Sequence, residues 1–244
     1  SKATDFAGTL ATTVLEAFRQ PFFMPNLEHF CTLSIGITLF SNHSHSVDEL
    51  LKQADLAMYQ AKDAGKNTAR FFTPDMQARV LEHLAMANEI RTAIKEQQFE
   101  VFLQPQVDVD HTIVGAESLL RWHHPSRGLL PPTEVIQVAE ETGLINPLGN
   151  WVLERSCEIL AGWAKDPVLS QLTLSVNISA RQLHQPDFVA EVVRIVQHTR
   201  APAARLKLEL TESMLLEDVQ DTIAKMHRLR LQGIGFSLDD FGTG

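Results

Sequence analysis

The sequence is poor in cysteine, tyrosine and positive charge. Its 244 residues include two cysteines, Cys31 and Cys157, and one tyrosine. Neither cysteine stands in a CxxC or Cys/His spacing, which leaves two reduced, packed thiols in a reducing compartment. Lys and Arg number 21 against 30 Asp and Glu, a formal net charge of −9. That balance argues against a nonspecific grip on polymeric nucleic acid, which needs a basic surface. A polyanionic ligand would need local cations, from Arg, Lys or a metal. No apolar run reaches the ~20 residues that span a bilayer, and no signal peptide opens the chain. The expectation is a cytoplasmic segment with no membrane contact. The first residue is Ser1 rather than Met, as expected of a processed chain or a portion of a longer one.

What is present is an ordinary globular composition, 44% hydrophobic with 12 Gly and 11 Pro, enough for one large domain or two small ones. Phe6, Leu10, Val14, Leu15 and Phe18 fall at helical spacing, and Pro21 and Pro25 end that stretch. Phe30 to Phe40 is rich in β-branched and aromatic residues and is predicted as a strand. Ser41 to Ser46 is predicted as a loop, and Val47 to Ala64 as an amphipathic helix stopped by Gly65. Phe71-Phe72 is a short predicted strand. Asp75 to Gln98 contains neither Gly nor Pro and is predicted as one long connecting helix.

From residue 99 strands and helices alternate. Predicted strands cover 101–109, 114–122, 172–178, 206–210 and 235–240. Predicted helices cover 133–141, 150–164, 187–198 and 217–231. This alternation predicts a parallel α/β sheet or barrel.

The phase of the strands is informative. In Leu172–Ile178 the apolar Leu172, Leu174, Val176 and Ile178 share one face, and Asn177 lies on the other. Glu209 opposes the leucines of Leu206–Leu210. Asp239 opposes Phe236 and Leu238. Glu117, Leu119 and Arg121 share a face. In a barrel the apolar face meets the helices, so Glu117, Asn177, Glu209 and Asp239 converge, the last three near the C-terminal strand ends where barrel active sites lie. A lone acid on a strand is usually solvated; four strands in one phase argue for a site. Converging acids repel unless neutralised. Hard oxygen donors suit Mg²⁺, Mn²⁺ or Ca²⁺, and the lack of His and Cys argues against zinc. Asp240 adds a carboxylate that could serve a second metal ~4 Å away, a device for activating water against a phosphodiester.

Gly115-Ala-Glu-Ser-Leu-Leu-Arg-Trp-His-His-Pro125, with Glu117-Ser118-Leu119 at its centre, resembles the signature of EAL-type cyclic di-GMP phosphodiesterases. Ser118 stands where Ala is usual. Phe102-Leu-Gln104-Pro105 resembles the family's opening strand, with Leu103 where an aromatic is common. Ser175-Val-Asn177-Ile-Ser179, Glu209-Leu-Thr-Glu212-Ser213 and Asp239-Asp-Phe-Gly-Thr-Gly244 match in order and spacing, and the resemblance covers ~76–244.

The resemblance implies a variant TIM-type (β/α) barrel that hydrolyses cyclic di-GMP to the linear dinucleotide with Mg²⁺ or Mn²⁺ in a two-metal site. Glu117, Asn177, Glu209, Asp239 and Asp240 are implied metal ligands, with Glu117, Asp239 and Asp240 catalytic. Gln104, Leu119 and Arg121 are implied substrate contacts, Arg121 at a phosphate. Glu212 is implied to lie behind the ligands. Phe241–Gly244 resembles the loop that couples the metal site to homodimerisation through this domain.

The front of the chain, Ser34-Ile-Gly36 followed by Ala54 to Asn67, resembles the back half of a GGDEF diguanylate cyclase domain. Its signature half is missing, so this segment is not expected to make cyclic di-GMP. Lys62 reads as an exposed helix lysine. The implied organisation is a partial α/β GGDEF-like segment at 1–73, a connecting helix at 74–98 and the N-terminal part of an EAL domain at 99–244.

The resemblance also implies further strands beyond Gly244 bearing a Lys, a Glu and a Gln of the site. Residues 99–244 are therefore expected to form about five strands of an open barrel and to display the cradle without being a competent enzyme alone. A binding module that senses cyclic di-GMP without cleaving it remains the alternative, as does an inactive piece. Among other residues, His43 and His45 read as solvent-exposed, His123 and His124 as loop-shaping, and Trp122, Trp151 and Trp163 as packing. Asp218 and Asp221 read as a solvated face.

Overall fold

A computed structural model of the chain describes residues 2–24, 27–40, 46–211, 214 and 218–239. His43, His45, Glu212, Asp240 and Phe241–Gly244 lie outside them. The chain divides into two compact units, Ser1–Leu84 and Ala85–Gly244.

The first unit opens with α1 (Lys2–Ala17), followed by the antiparallel pair β1 (Phe22–Met24) and β2 (Leu27–His29). This pair is missing from the sequence expectation, which took Pro21 and Pro25 only as breakers. The predicted strand 30–40 shrinks to β3 (Ile35–Ile37), because its parallel partner β4 (Ala69–Phe71) is three residues long. A strand persists only where its backbone groups find a ladder. Between them runs α2 (Val47–Asp63), whose N-terminus is closed by a capping box of Ser46 and Glu49. Lys62 lies exposed in its last turn.

The boundary between units falls within α3 (Pro74–Lys95). The second unit is built on one sheet of β5 (Phe99–Val107), β6 (Ile113–His124), β7 (Gly128–Leu130), β8 (Thr173–Asn177), β9 (Leu206–Thr211) and β10 (Gly235–Asp239). The strand order is β10-β9-β8-β6-β5, with β7 paired to β6. β6, β8, β9 and β10 are parallel. β5 is antiparallel to β6, which corrects the all-parallel expectation. The physical reason is connection length: only residues 108–112 join the two strands, and a parallel crossover needs a dozen residues or more. Asp108 Oδ1 tightens this turn by accepting from the Asp110 and Thr112 N–H groups.

The crossovers carry α4 (Pro132–Thr142), α5 (Ile145–Trp163), α6 (Ala180–Leu183), α7 (Phe188–Thr199) and α8 (Val219–Arg230). α5 starts earlier than the expected 150, because Pro147 sits in its first turn, where no N–H donor is needed. One core joins Leu174, Val176, Leu206, Leu208 and Leu210 of the central strands to Leu153, Leu160, Val192 and Ile195 of the helices. A second joins Ile90 of α3 to Phe99, Trp122, Val135 and Leu148. Trp122 is 1% exposed, and its Nε1–H donates to Gln98 Oε1 at 3.1 Å. Trp151 and Trp163 pack at the margins of these cores. Leu238 stays 44% exposed, on a strand paired on one side only among the described residues.

Candidate active site

The alternation expected of β6 is present. Ala116, Ser118, Leu120 and Trp122 are buried toward the helices, while Glu117, Leu119 and Arg121 are half-buried on the other face. Parallel ladders carry that face across the sheet. Glu117 pairs with Ser175, Asn177 with Glu209, and Glu209 with Ser237. Residues aligned across a ladder point the same way, so these side chains project together.

Contacts follow from this register. Asn177 Nδ2 donates to Glu117 Oε1 at 2.7 Å, joining β6 to β8. Ser237 Oγ donates to Glu209 Oε1 at 3.1 Å, joining β10 to β9. Glu209 is 9% exposed, whereas Asn177 faces solvent. The backbone of Asp239 closes β10 opposite Thr211.

The proposed substrate contacts lie on the adjoining hairpin. Gln104 pairs with Glu117 across β5–β6, and Phe102 pairs with Leu119. Gln104 is exposed. The Arg121 guanidinium lies 5.5 Å from the Phe102 ring centroid, and its Nη1 donates to the Leu120 carbonyl at 2.8 Å. Cation–π contact and one carbonyl therefore hold the guanidinium and leave donors over.

Ser118 faces away from these groups. Its Oγ lies 2.9 Å from Ser156 Oγ on α5, and Ser156 donates onward to the Val152 carbonyl at 2.8 Å. The hydroxyl that departs from the usual Ala is thus satisfied without touching Glu117. His124 shapes its loop, its Nδ1 accepting from the Ser126 and Arg127 N–H groups at 3.2 Å. His123 pairs with Glu100 on the surface at 2.6 Å.

Three residues of the inward face escaped the sequence reading. Ser237 sits beside Glu209. Ser175 is 1% exposed, and its Oγ has no partner among the described residues. Lys207 shares their row through the Ser175↔Lys207 pairing, and its stem leans over Gly235. The period-two count puts all three in phase with the acids, but only the ladder register sets Ser237 opposite Glu209 and Ser175 opposite Glu117.

Among the described residues no group of three or more His, Cys, Asp or Glu side chains is gathered as a metal site. The oxygen-rich pairs Asn177–Glu117 and Ser237–Glu209 nonetheless have the donor chemistry of a hard cation. The Asn177 amide carries its carbonyl oxygen on the same carbon as the nitrogen now given to Glu117, so rotation of the amide exchanges one for the other.

Comparison with known proteins places these residues in context. A family model described as "EAL domain" matches residues 87–244. One described as "Diguanylate cyclase, GGDEF domain" matches residues 1–68. The chain is 36% identical over 240 residues to the bifunctional diguanylate cyclase/cyclic di-GMP phosphodiesterase MucR of Pseudomonas aeruginosa, covering 98% of this chain and 35% of that protein. It is 34% identical over 235 residues to the cyclic di-GMP phosphodiesterase PdeR of Escherichia coli, covering 96% of this chain and 35% of that protein. The chain thus spans about a third of the length of these relatives. Among solved structures, the PaMucR phosphodiesterase in complex with c-di-GMP superposes with a TM-score of 0.63 at 33% identity, over 66% of this chain and 65% of that one. The EAL enzyme Bd1971 bound to cAMP and cyclic di-GMP gives 0.64 at 28% identity, over 83% of this chain and 53% of that one. The open mixed sheet is therefore a partial barrel of the kind those enzymes contain.

Proposed function

The chain belongs to the EAL domain family, and on that footing we propose that its second unit binds cyclic di-GMP and supplies most of a metal site that hydrolyses it to the linear dinucleotide. The observation that carries this reading is the Asn177–Glu117 hydrogen bond of 2.7 Å. It ties the acid of the Glu117-Ser118-Leu119 motif to a neighbour whose own ladder partner is Glu209.

Glu117, Asn177 and Glu209, with Asp239 and Asp240, would hold Mg²⁺ or Mn²⁺, and Glu212 would support them from behind. A bound divalent cation supplies charge neutralisation at the phosphate and a more acidic water. The chain's own groups do the rest. Arg121, held by Phe102 and the Leu120 carbonyl, offers its free N–H donors to a phosphate oxygen. Gln104 and Leu119 flank the same face and contact the nucleotide. Hydrolysis adds the hydroxyl of water to phosphorus and the remaining proton to the departing ribose oxygen. Glu117, Asp239 and Asp240 are the catalytic residues of this reading and would act by holding the cation that activates the water.

The wider proposal retains the remaining expectations. Residues 1–73 form a GGDEF-like segment, 74–98 the connecting segment that holds α3, and 99–244 belong to the EAL domain. The protein acts as a homodimer through that domain in the cytoplasm. No helix among the described residues is long and apolar enough to cross a membrane.

The deciding experiment is release of linear dinucleotide by the full-length protein with Mg²⁺ or Mn²⁺. Loss of turnover in Glu117→Ala and on chelation is expected. Tight binding of cyclic di-GMP with no turnover in either metal would sink the hydrolase reading.

A further inference from the structure

Glu209 sits on a central strand, 9% exposed, with β8 on one side and β10 on the other. A glutamate ends in a torsion with broad, nearly equivalent settings. Burial removes the water that would otherwise saturate both of its oxygens. Something must choose which oxygen is tied to protein and which is left for a ligand. Across the ladder the chain places one group for this purpose. Ser237 is the direct partner of Glu209 in the β9–β10 pairing, and its Oγ donates to Glu209 Oε1 at 3.1 Å.

We infer that Ser237 is a positioning residue. Its hydroxyl pins Oε1 and leaves Oε2 presented to the cation. This rests on the assignment of Glu209 as a metal ligand. The same device operates on Glu117, whose Oε1 is held by Asn177, but Asn177 is itself counted among the ligands. Ser237 is not: a half-buried serine hydroxyl beside a carboxylate that can take a cation better than it can. Hydrogen bonds to ligating carboxylates set ligand orientation and are worth on the order of 10- to 100-fold in metal affinity. Ser237 also lies on the strand that ends at Asp239, so its hydroxyl links the strand delivering one proposed ligand to the carboxylate of another.

The test is titration of the full chain with Mn²⁺, free ion being followed by electron paramagnetic resonance, alongside melting temperatures without metal. Ser237→Ala is expected to weaken Mn²⁺ binding on the order of 10-fold while its metal-free melt stays cooperative, lowered only by the loss of one hydrogen bond. Ser237→Thr, which keeps the hydroxyl, is expected to bind close to wild type. Glu209→Gln is the control for the underlying assignment. If Glu209→Gln loses affinity and Ser237→Ala does not, the positioning role is wrong and the ligand assignment stands. If Ser237→Thr is as weak as Ser237→Ala, the hydroxyl is not the operative group and the role is wrong. If Glu209→Gln binds Mn²⁺ as wild type does, the ligand assignment fails and takes the positioning role with it.

Discussion

The Asn177 amide donates to Glu117 Oε1 across 2.7 Å, from one parallel strand to the next. The neutral side chain here lets an acid stand beside a second strand end without like-charge repulsion. Asn177→Asp would replace the donor with a second carboxylate at that distance. At an effective dielectric of about 20, two unit charges 2.7 Å apart would repel by about 6 kcal/mol; Asn177 is exposed, so solvent and relaxation of the pair reduce this to about 1 kcal/mol. The variant is expected to melt lower without metal and to gain more from Mn²⁺ than wild type does. Thermal melts at neutral pH with and without Mn²⁺ measure both. An equal Mn²⁺ increment in the two proteins would contradict the prediction.

The Ser118–Ser156 pair makes an asymmetric prediction. Ser156 keeps its bond to the Val152 carbonyl when Ser118 is cut back, so Ser118→Ala restores the residue usual in the motif at little cost. Ser156→Ala leaves the Ser118 hydroxyl, 3% exposed, without its partner. A buried unsatisfied hydroxyl costs about 1–3 kcal/mol. Urea unfolding should therefore rank Ser156→Ala well below Ser118→Ala, with the double variant recovering most of the loss. Equal losses in the two single variants would refute the pairing.

Period-two phase made the face legible, because Glu117, Asn177 and Glu209 each interrupt an apolar strand at the same beat. It did not reveal Ser237 or Ser175. A hydroxyl in phase carries no charge to mark it, and only the register opposite Glu209 and Glu117 gives it meaning. The direction of β5 was readable in principle from the short 108–112 connection, but strand–helix alternation elsewhere dominated the reading. The trimming of 30–40 to Ile35–Ile37 was not readable, since it depends on the length of a partner more than thirty residues away. The start of α5 at Ile145, ahead of the expected 150, includes Pro147 because a proline is tolerated in a helix's first turn.

Cys157 offers a pH-dependent test. Burial pushes its thiol up to about 12, the nearby Glu154 and Glu158 charges adding to the effect and a Thr199 hydrogen bond opposing it. An unfolded thiol ionises near 8.5. Between those values the unfolded state binds fewer protons than the native state, so stability falls as pH rises. The contribution is complete below about pH 8.5 and declines toward 12 by up to about 1.4 kcal/mol per pH unit. Wild type is therefore expected to lose stability relative to Cys157→Ala between pH 8 and 10. Thiol reagents at pH 8 should modify the half-exposed Cys31 first and reach Cys157 only on unfolding. A flat difference across that range, or rapid labelling of Cys157 in the native state, would overturn this.

Two glycines predict opposite outcomes of one substitution. A Cβ on Gly115 would lie 2.5 Å from the Thr173 carbonyl oxygen and 2.6 Å from its Oγ1. Gly115 and Thr173 are ladder partners in β6 and β8, so the oxygen cannot yield without parting the strands. Gly115 also shares the face of Glu117, two residues on, and the separation would fall where Asn177 reaches across. Gly115→Ala should cost about 1–3 kcal/mol, as overpacking does, and should weaken Mn²⁺ binding as well. Gly162, exposed within α5, has open space where its Cβ would go. Gly162→Ala removes backbone freedom from the unfolded chain without strain and should stabilise by about 0.4–1 kcal/mol. Urea midpoints moving in opposite directions, with Mn²⁺ affinity changed only by Gly115→Ala, are the expected result. If Gly115→Ala were as stable as wild type and bound Mn²⁺ equally well, β6 and β8 could not be packed as closely as the Glu117–Asn177 contact requires.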